Sequence, residues 1–490
     1  MKILIVQLAR LGDIYMTWPV ARAIHRKFPE AEIHFLVRPR FKNALNGLEV
    51  VHKVWELPME SIFKPIFEGH DQSITDALLQ LDIFCNDLIG IEFQQIINLS
   101  FSPSSSYMCH FLAESNKKSV TTVRGYTRHT DGFLNFGDPT SAYFYAQVGF
   151  DKPNRIHLID LFANIGDVEL IEEDWGNPVM TQNPQITYPQ DPYIVIHVGA
   201  SELHKSLSVH KWIGIINGLL KACTGQIVLI GTKSEIKISE SIACVIDSTK
   251  VLDLVGKTQI EDLFSLLKGA QLLIGADSAP MHMASFTQTK CLNISIGNVS
   301  FWETGPRVLG SVVLKADGEG ELPSDLITDA ALDILNNKVD QSKYIAVTDE
   351  FPIYQGTGIQ QSFEWDLIKA IYLSDELPPI PNKDVALAFM KLKDANDVAL
   401  EQLDKMLDQG QTPLLCEIYD RTTEIINSVG KIVPEMVPLI RWLETEKIKM
   451  GPAPKKELIL LSIEIHKSFA SIVDTYCLAL TDKGQHETSI

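Results

Sequence analysis

Residues 271–282 read Gln-Leu-Leu-Ile-Gly-Ala-Asp-Ser-Ala-Pro-Met-His, a short apolar strand turning directly into a helix. Leu272, Leu273 and Ile274 show no polar alternation, which suits a strand covered on both faces in a parallel sheet flanked by helices. Pro280 stands where a first helical turn tolerates a missing N–H, and either Asp277 or Ser278 can cap. Such a helix opens with unpaired N–H groups and the positive end of its dipole aimed at the turn; His282 adds a donor one turn further in. Alone, the pattern fits a well-capped helix and an anion site equally.

The surrounding chain repeats the strand-to-helix theme. Ile3 to Val6 reads as a strand, about 14 to 28 as a helix, and Ile33 to Val37 as a second strand, a βαβ unit. In that helix Ile14, Trp18, Ala21, His25 and Phe28 form one stripe, with Arg22, Arg26 and Lys27 pointing outward and His25 packed or at the boundary. Ile96 to Leu99 is another strand, followed by the hydroxyl-rich stretch 100–106. Four prolines between 177 and 192 mark a linker, and strands at Tyr193 to His197, Gln226 to Ile230 and Cys291 to Ile296 then alternate with helices. Thr258 and Glu261 have capping-box spacing. Past 340 the patterns are helical. The expected architecture is α/β: two Rossmann-like, doubly wound parallel-sheet domains at 1–176 and 193–340 facing a cleft, a linker at 177–192, and a mainly helical C-terminal extension at 341–490.

With 62 acidic and 43 basic residues, the 490-residue chain carries a formal charge of -19, which argues against a broad nucleic-acid surface. The seven cysteines are scattered and never in a C-x-x-C pair, so neither a disulfide framework nor a zinc site is expected. The first strand is too short for a signal-peptide core, and no apolar run reaches the ~18 to 20 residues of a membrane span. A cytoplasmic setting is expected.

Three more segments carry polar groups to strand ends, where open α/β sheets bind ligands. Leu11-Gly12-Asp13 is placed in the turn between the first strand and helix, with Asp13 either a helix cap or a group facing a ligand; a single glycine there is not the dinucleotide fingerprint. His197-Val198-Gly199-Ala200-Ser201, followed by Lys205, lets backbone approach a ligand and offers a compact charge for a phosphate. Gly231 to Glu235 puts a carboxylate where ribose hydroxyls can be accepted.

Together with Gly275 to His282 and Thr304-Gly305-Pro306, these segments resemble glycosyltransferase family 9, typified by ADP-heptose:lipopolysaccharide heptosyltransferases, over roughly residues 1 to 315. The resemblance implies GT-B architecture, with the acceptor held by the first domain and the nucleotide-sugar donor by the second. It implies Asp13 as catalytic base, and donor contacts from Gly12, Ser201, Lys205, Glu235, Thr258, Asp277, Ser278, Ala279 and His282. The implied reaction is a metal-independent, inverting transfer of a sugar, heptose first, from a nucleoside diphosphate such as ADP-heptose to a lipopolysaccharide-core or related saccharide, with no resident cofactor. A hinge near 177–192 would close the cleft. Two departures stand out: Ala279 replaces the family's usual glycine, and Val198 its usual proline. They leave open a catalytically inactive sugar-nucleotide-binding scaffold; a protein O-glycosyltransferase of the same family is a further alternative. Arg22, Arg26, Arg38, Arg40 and Lys42 could meet a lipid-linked acceptor at the cytoplasmic face of the inner membrane, or simply be solvated, and the helical extension is free to mediate oligomerisation.

Overall fold

A computed structural model describes residues 1–68, 71–179, 183–189, 192–200, 206–246 and 249–487. The chain forms two units, Met1–Val123 with Arg155–Ile359, and Arg124–Asn154 with Gln360–Ile490.

The first unit begins with β1 (Lys2–Val6), β2 (Glu32–Val37), β3 (Val51–Glu56) and β4 (Gln95–Asn98), parallel in the order β3-β2-β1-β4. Ile5 lies opposite Phe35 on one side and Ile97 on the other, so β1 is central and its Ile3 to Val6 run is fully buried. The following helix, Leu11–Lys27, starts earlier than the apolar period suggests. Asp13 accepts the Arg10 N–H at 2.8 Å, and this local bond draws Gly12 and Asp13 into the first helical turn rather than the turn before it. Trp18 is buried as expected, but so is Arg22: Glu49 takes its Nε and Nη2 at 2.9 and 3.0 Å, and the carbonyls of Asp174 and Gly176 take Nη1. Those acceptors satisfy a buried guanidinium that the local pattern places outside.

The chain passes into the second unit along β5 (Thr122–Arg128), which pairs there antiparallel with β6 (Leu134–Phe136), Tyr126 opposite Phe136. The expected first domain, 1–176, is thus interrupted: 124–154 cluster with the C-terminal helices. Apolar faces of the helices Phe363–Tyr372, Lys383–Gln409, Val437–Lys449 and Lys455–Glu487 supply that unit's core, including Leu367, Phe389, Leu439 and Phe469.

The second sheet, in the first unit, comprises β7 (Tyr193–His197), β8 (Gln226–Ile230), β9 (Val251–Asp253), β10 (Leu272–Ala276), β11 (Cys291–Ile296), β12 (Val312–Ala316), β13 (Ile345–Val347) and β14 (Tyr354–Gly356). Its order is β14-β13-β12-β11-β10-β7-β8-β9, parallel except for the antiparallel pairs β12/β13 and β13/β14. Ile196, Leu229, Ile274 and Ile294 bury against Trp212, Ile216 and Leu219 of the helix Val209–Ala222 and Ile327 and Ala331 of the helix Ser324–Leu335. β13 and β14 lie beyond the boundary expected at 340, because Ile345, Val347 and Tyr354 complete a cluster with Phe301 and Val313. Among the described residues, no helix is long and apolar enough to cross a membrane.

Candidate functional site

β10 ends at Ala276, and the helix Ala279–Thr287 begins after Ser278, whose extended backbone (φ −164°, ψ 168°) makes it the N-cap residue. Its side chain does not cap. Ser278 Oγ donates to the Ala276 carbonyl at 3.0 Å and shares a 3.0 Å hydrogen bond with His197 Nδ1, at the end of β7. Asp277 is also drawn away, accepting from Thr304 Oγ1 at 2.8 Å. Neither expected cap therefore covers the helix start, which keeps its N–H groups directed at the turn. Ala279 is the first helical residue, so the departure from glycine brings no left-handed strain.

One turn on, His282 is buried, and its ring lies against the first sheet's leading helix. A methyl group built on Gly12 would come within 2.9 Å of His282 Cδ2 and 3.1 Å of Nε2. The absence of a side chain at Gly12 is what lets the two α/β halves meet here. Burial pushes both His282 and His197 down to about 4, so at neutral pH each offers an N–H rather than a positive charge. Next to Gly12, burial raises the Asp13 carboxyl above the ordinary aspartate range, opposed by the Arg10 N–H and the Arg10 charge.

Glu235 lies in a short turn after β8. Its Oε2 accepts from the Thr232 N–H and hydroxyl at 2.6 and 2.5 Å, and its Oε1 from Ser234 Oγ at 2.6 Å. Burial works to raise its pKa, but the Ser234 and Thr232 hydrogen bonds outweigh it and hold the carboxylate below its usual range. The space left by Gly199 is filled by this carboxylate, since a methyl group there would approach Glu235 Cδ to 2.9 Å. Gly199 thus makes room for Glu235, where the sequence suggests room for a ligand.

Thr258 is half-buried on the turn after β9, but the capping box it suggests with Glu261 is absent. The helix there is Asp262–Gly269; Asp262 accepts the Gln259 N–H at 2.7 Å, and Glu261 accepts from Asn46 of the first α/β half. Ser201 and Lys205 lie outside the described residues. The basic set is largely engaged: Arg22 with Glu49, Arg26 with Asp174 and Lys42 with Glu56. Two buried residues that sequence reading passes over hold the Thr304-Gly305-Pro306 loop: His157 Nε2 donates to the Gly305 carbonyl at 3.1 Å and the Tyr354 hydroxyl to that of Pro306 at 3.0 Å. His197 had one signal, its place at a strand end beside small residues.

Residues 158–296 match the model of glycosyltransferase family 9 (heptosyltransferase). The chain is 23% identical over 294 residues to lipopolysaccharide heptosyltransferase 1 of Campylobacter coli, covering 58% of this chain and 80% of that protein. It is 27% identical over 286 residues to lipopolysaccharide heptosyltransferase 3 of Escherichia coli (strain K12), covering 58% and 79%. Its fold is similar to that of the E. coli heptosyltransferase WaaC with ADP, at a TM-score of 0.51 and 15% identity, covering 68% of this chain and 100% of that one. A family 9 glycosyl transferase from Veillonella parvula is similar at a TM-score of 0.51 and 15% identity, covering 69% and 97%. The two parallel-sheet halves of the first unit form a GT-B fold. The family match spans the turn after β10 and the curated relatives extend the likeness to more than half of the chain, which together support assignment to glycosyltransferase family 9 and a glycosyltransferase activity.

Proposed function

We propose that this enzyme transfers heptose from ADP-heptose to a saccharide of the lipopolysaccharide core, inverting the anomeric centre in a single displacement. The observation that carries this reading is the contact of Gly12 with His282, which sets a half-buried carboxylate, Asp13, beside a helix start that no side chain among the described residues caps. The names of the curated relatives supply the sugar and acceptor class, and a solved structure of similar fold holds ADP.

Asp13 takes the proton of the acceptor hydroxyl as its oxygen attacks the anomeric carbon, and ADP departs. A carboxylate whose pKa burial has raised is a better base than an exposed aspartate. The charge gathering on the diphosphate meets the N–H groups at the start of Ala279–Thr287, which follows Ser278, and the His282 N–H, and Lys205 adds a cation. Preorganised donors of this kind are each worth about 10² to 10³ in rate, so the displacement is assigned no metal. Glu235, held by its own turn through three accepted bonds, retains an acceptor site on Oε1 for a ribose hydroxyl, with Thr258 towards the base.

Purified protein, ADP-heptose and a truncated lipopolysaccharide-core saccharide test the reading, with ADP release and product mass as readouts. Chelator-treated enzyme should keep its rate. Asp13→Asn should reduce turnover by 10³-fold or more, on the order of a lost general base, while ADP binds within a few fold. Full turnover in Asp13→Asn removes Asp13 from the mechanism. Product formed only on a polypeptide hydroxyl would instead favour protein glycosylation.

A further inference from the structure

The Gly12–His282 contact is one end of a longer seam. Along the same helix, Tyr15, Trp18 and Arg22 follow at helical spacing, and each faces the second sheet's helices. The Trp18 ring lies 5.4 Å from Phe264, stacked at 29°, and 5.2 Å from Phe286; Tyr15 meets Phe264 edge-on at 5.7 Å. All four rings are buried, at 2% exposure or less. Trp18 Nε1 donates to the Ala44 carbonyl at 2.9 Å, tying the indole to its own half, while the Arg22 guanidinium lies 5.7 Å from the Phe286 ring. The Asn46–Glu261 hydrogen bond runs beside this apolar seam.

We propose that Trp18 and Phe286 are positioning residues for the transfer: they clamp the helix carrying Asp13 to the helix whose N-terminus faces the diphosphate, and so set the separation between base and leaving group. The inference rests on the reading of Asp13 as the base. At about 1.5 Å rise per residue, Trp18 lies roughly 7 to 8 Å along its helix from Asp13, and Phe286 roughly 6 Å along its own from His282. Helices are stiff over such distances, so slack at the rings is passed to the reacting groups, where about 1 Å can remove ~10² in rate. The seam also packs beside Asp13 and limits its exposure, since the residues after it, Ile14 to Ala21, are all buried. Among the described residues, the charged group bearing on that carboxyl is Arg10 in its own turn.

The test compares Trp18→Leu, Phe286→Leu, the double variant and the conservative Trp18→Phe in the full-length enzyme. Each leucine variant should lower kcat about tenfold with ADP affinity within about threefold. The acidic limb of the kcat–pH profile should move to lower pH, because a wetter Asp13 titrates closer to an ordinary aspartate. Trp18→Phe should restore most of both, and the double variant should lose less than the product of the single losses, since the rings share one contact. A folded leucine variant with unchanged kcat and an unmoved limb overturns the clamp, as does a kcat loss matched by lost ADP affinity with the limb in place. If a leucine variant does not fold, the milder Phe286→Met is read by the same rate and limb, and an enzyme with neither a rate loss nor a limb shift then counts against the clamp. Asp13→Asn separates the layers. Retained turnover there sinks the base itself, whereas lost turnover beside unaltered clamp variants sinks only this inference.

Discussion

Gly12→Ala is the smallest change that should separate the two halves of the site. The added methyl would lie 2.9 Å from His282 Cδ2, where ordinary contacts begin at 3.4 Å, so ring or helix must retreat by at least about half an ångström. His282 is buried within its helix and cannot swing away as an exposed side chain could. Overpacking of this kind typically costs about 1 to 3 kcal/mol, while replacing a helical glycine returns up to about 1 kcal/mol. Thermal stability is therefore a poor readout, as the two effects partly cancel. Turnover is a good one, because helix propensity does nothing for the approach of Asp13 to the donor. Half an ångström at the reacting groups should lower kcat by about tenfold, or ~1.4 kcal/mol of barrier. Initial rates of ADP release, with calorimetric ADP binding as control, measure it. A kcat within twofold of the parent would mean that the Gly12–His282 approach does not set the reacting distance.

Gly199→Ala should act through Glu235. Its methyl group would approach the carboxylate carbon to 2.9 Å, so it should weaken ADP binding to the same extent as Glu235→Ala, and the double variant should be no worse than either single one; additive losses by calorimetry would break that link. A third expectation concerns the helical unit, where His466 is fully buried between Asn396, which faces Nδ1 at 2.6 Å, and Tyr419, which faces Nε2 at 3.2 Å. Burial, with the nearby Lys447 charge, pushes His466 down to about 3. The unfolded chain then takes up a proton first, near 6.5, so the stability His466 contributes is complete above that pH and is lost as pH falls towards the folded value. By pH 5 the loss should be about 2 kcal/mol, measured as the pH dependence of the stability difference between the parent and His466→Asn. A difference that stays constant from pH 7.5 to 5 would show that the imidazole charges as easily folded as unfolded.

The buried strands were legible because their residues carry the whole signal. Ile3 to Val6, Leu272 to Ile274 and Cys291 to Ile296 are short apolar runs, and all lie in parallel sheets. β13 and β14 escaped because strands of three residues are too short to display a period. The detour of 124–154 into the helical unit leaves no local mark either, since it depends on which core those residues join.

By itself the sequence determined the two α/β halves, the strand-end placement of Glu235 and the 275–282 turn, and the family resemblance, because apolar period and motif spacing are local properties of the chain. Only the tertiary structure decided how those groups are used. Thr304 and His197, 27 and 81 residues from their partners, draw Asp277 and Ser278 away from the helix start that either could have capped. Asn46 takes Glu261 from the expected box with Thr258, and Glu49 with distant carbonyls makes Arg22 an interior residue. Each outcome is a competition for one hydrogen-bonding group, and where folding brings a distant partner close to a buried one, that partner displaces the neighbour along the chain.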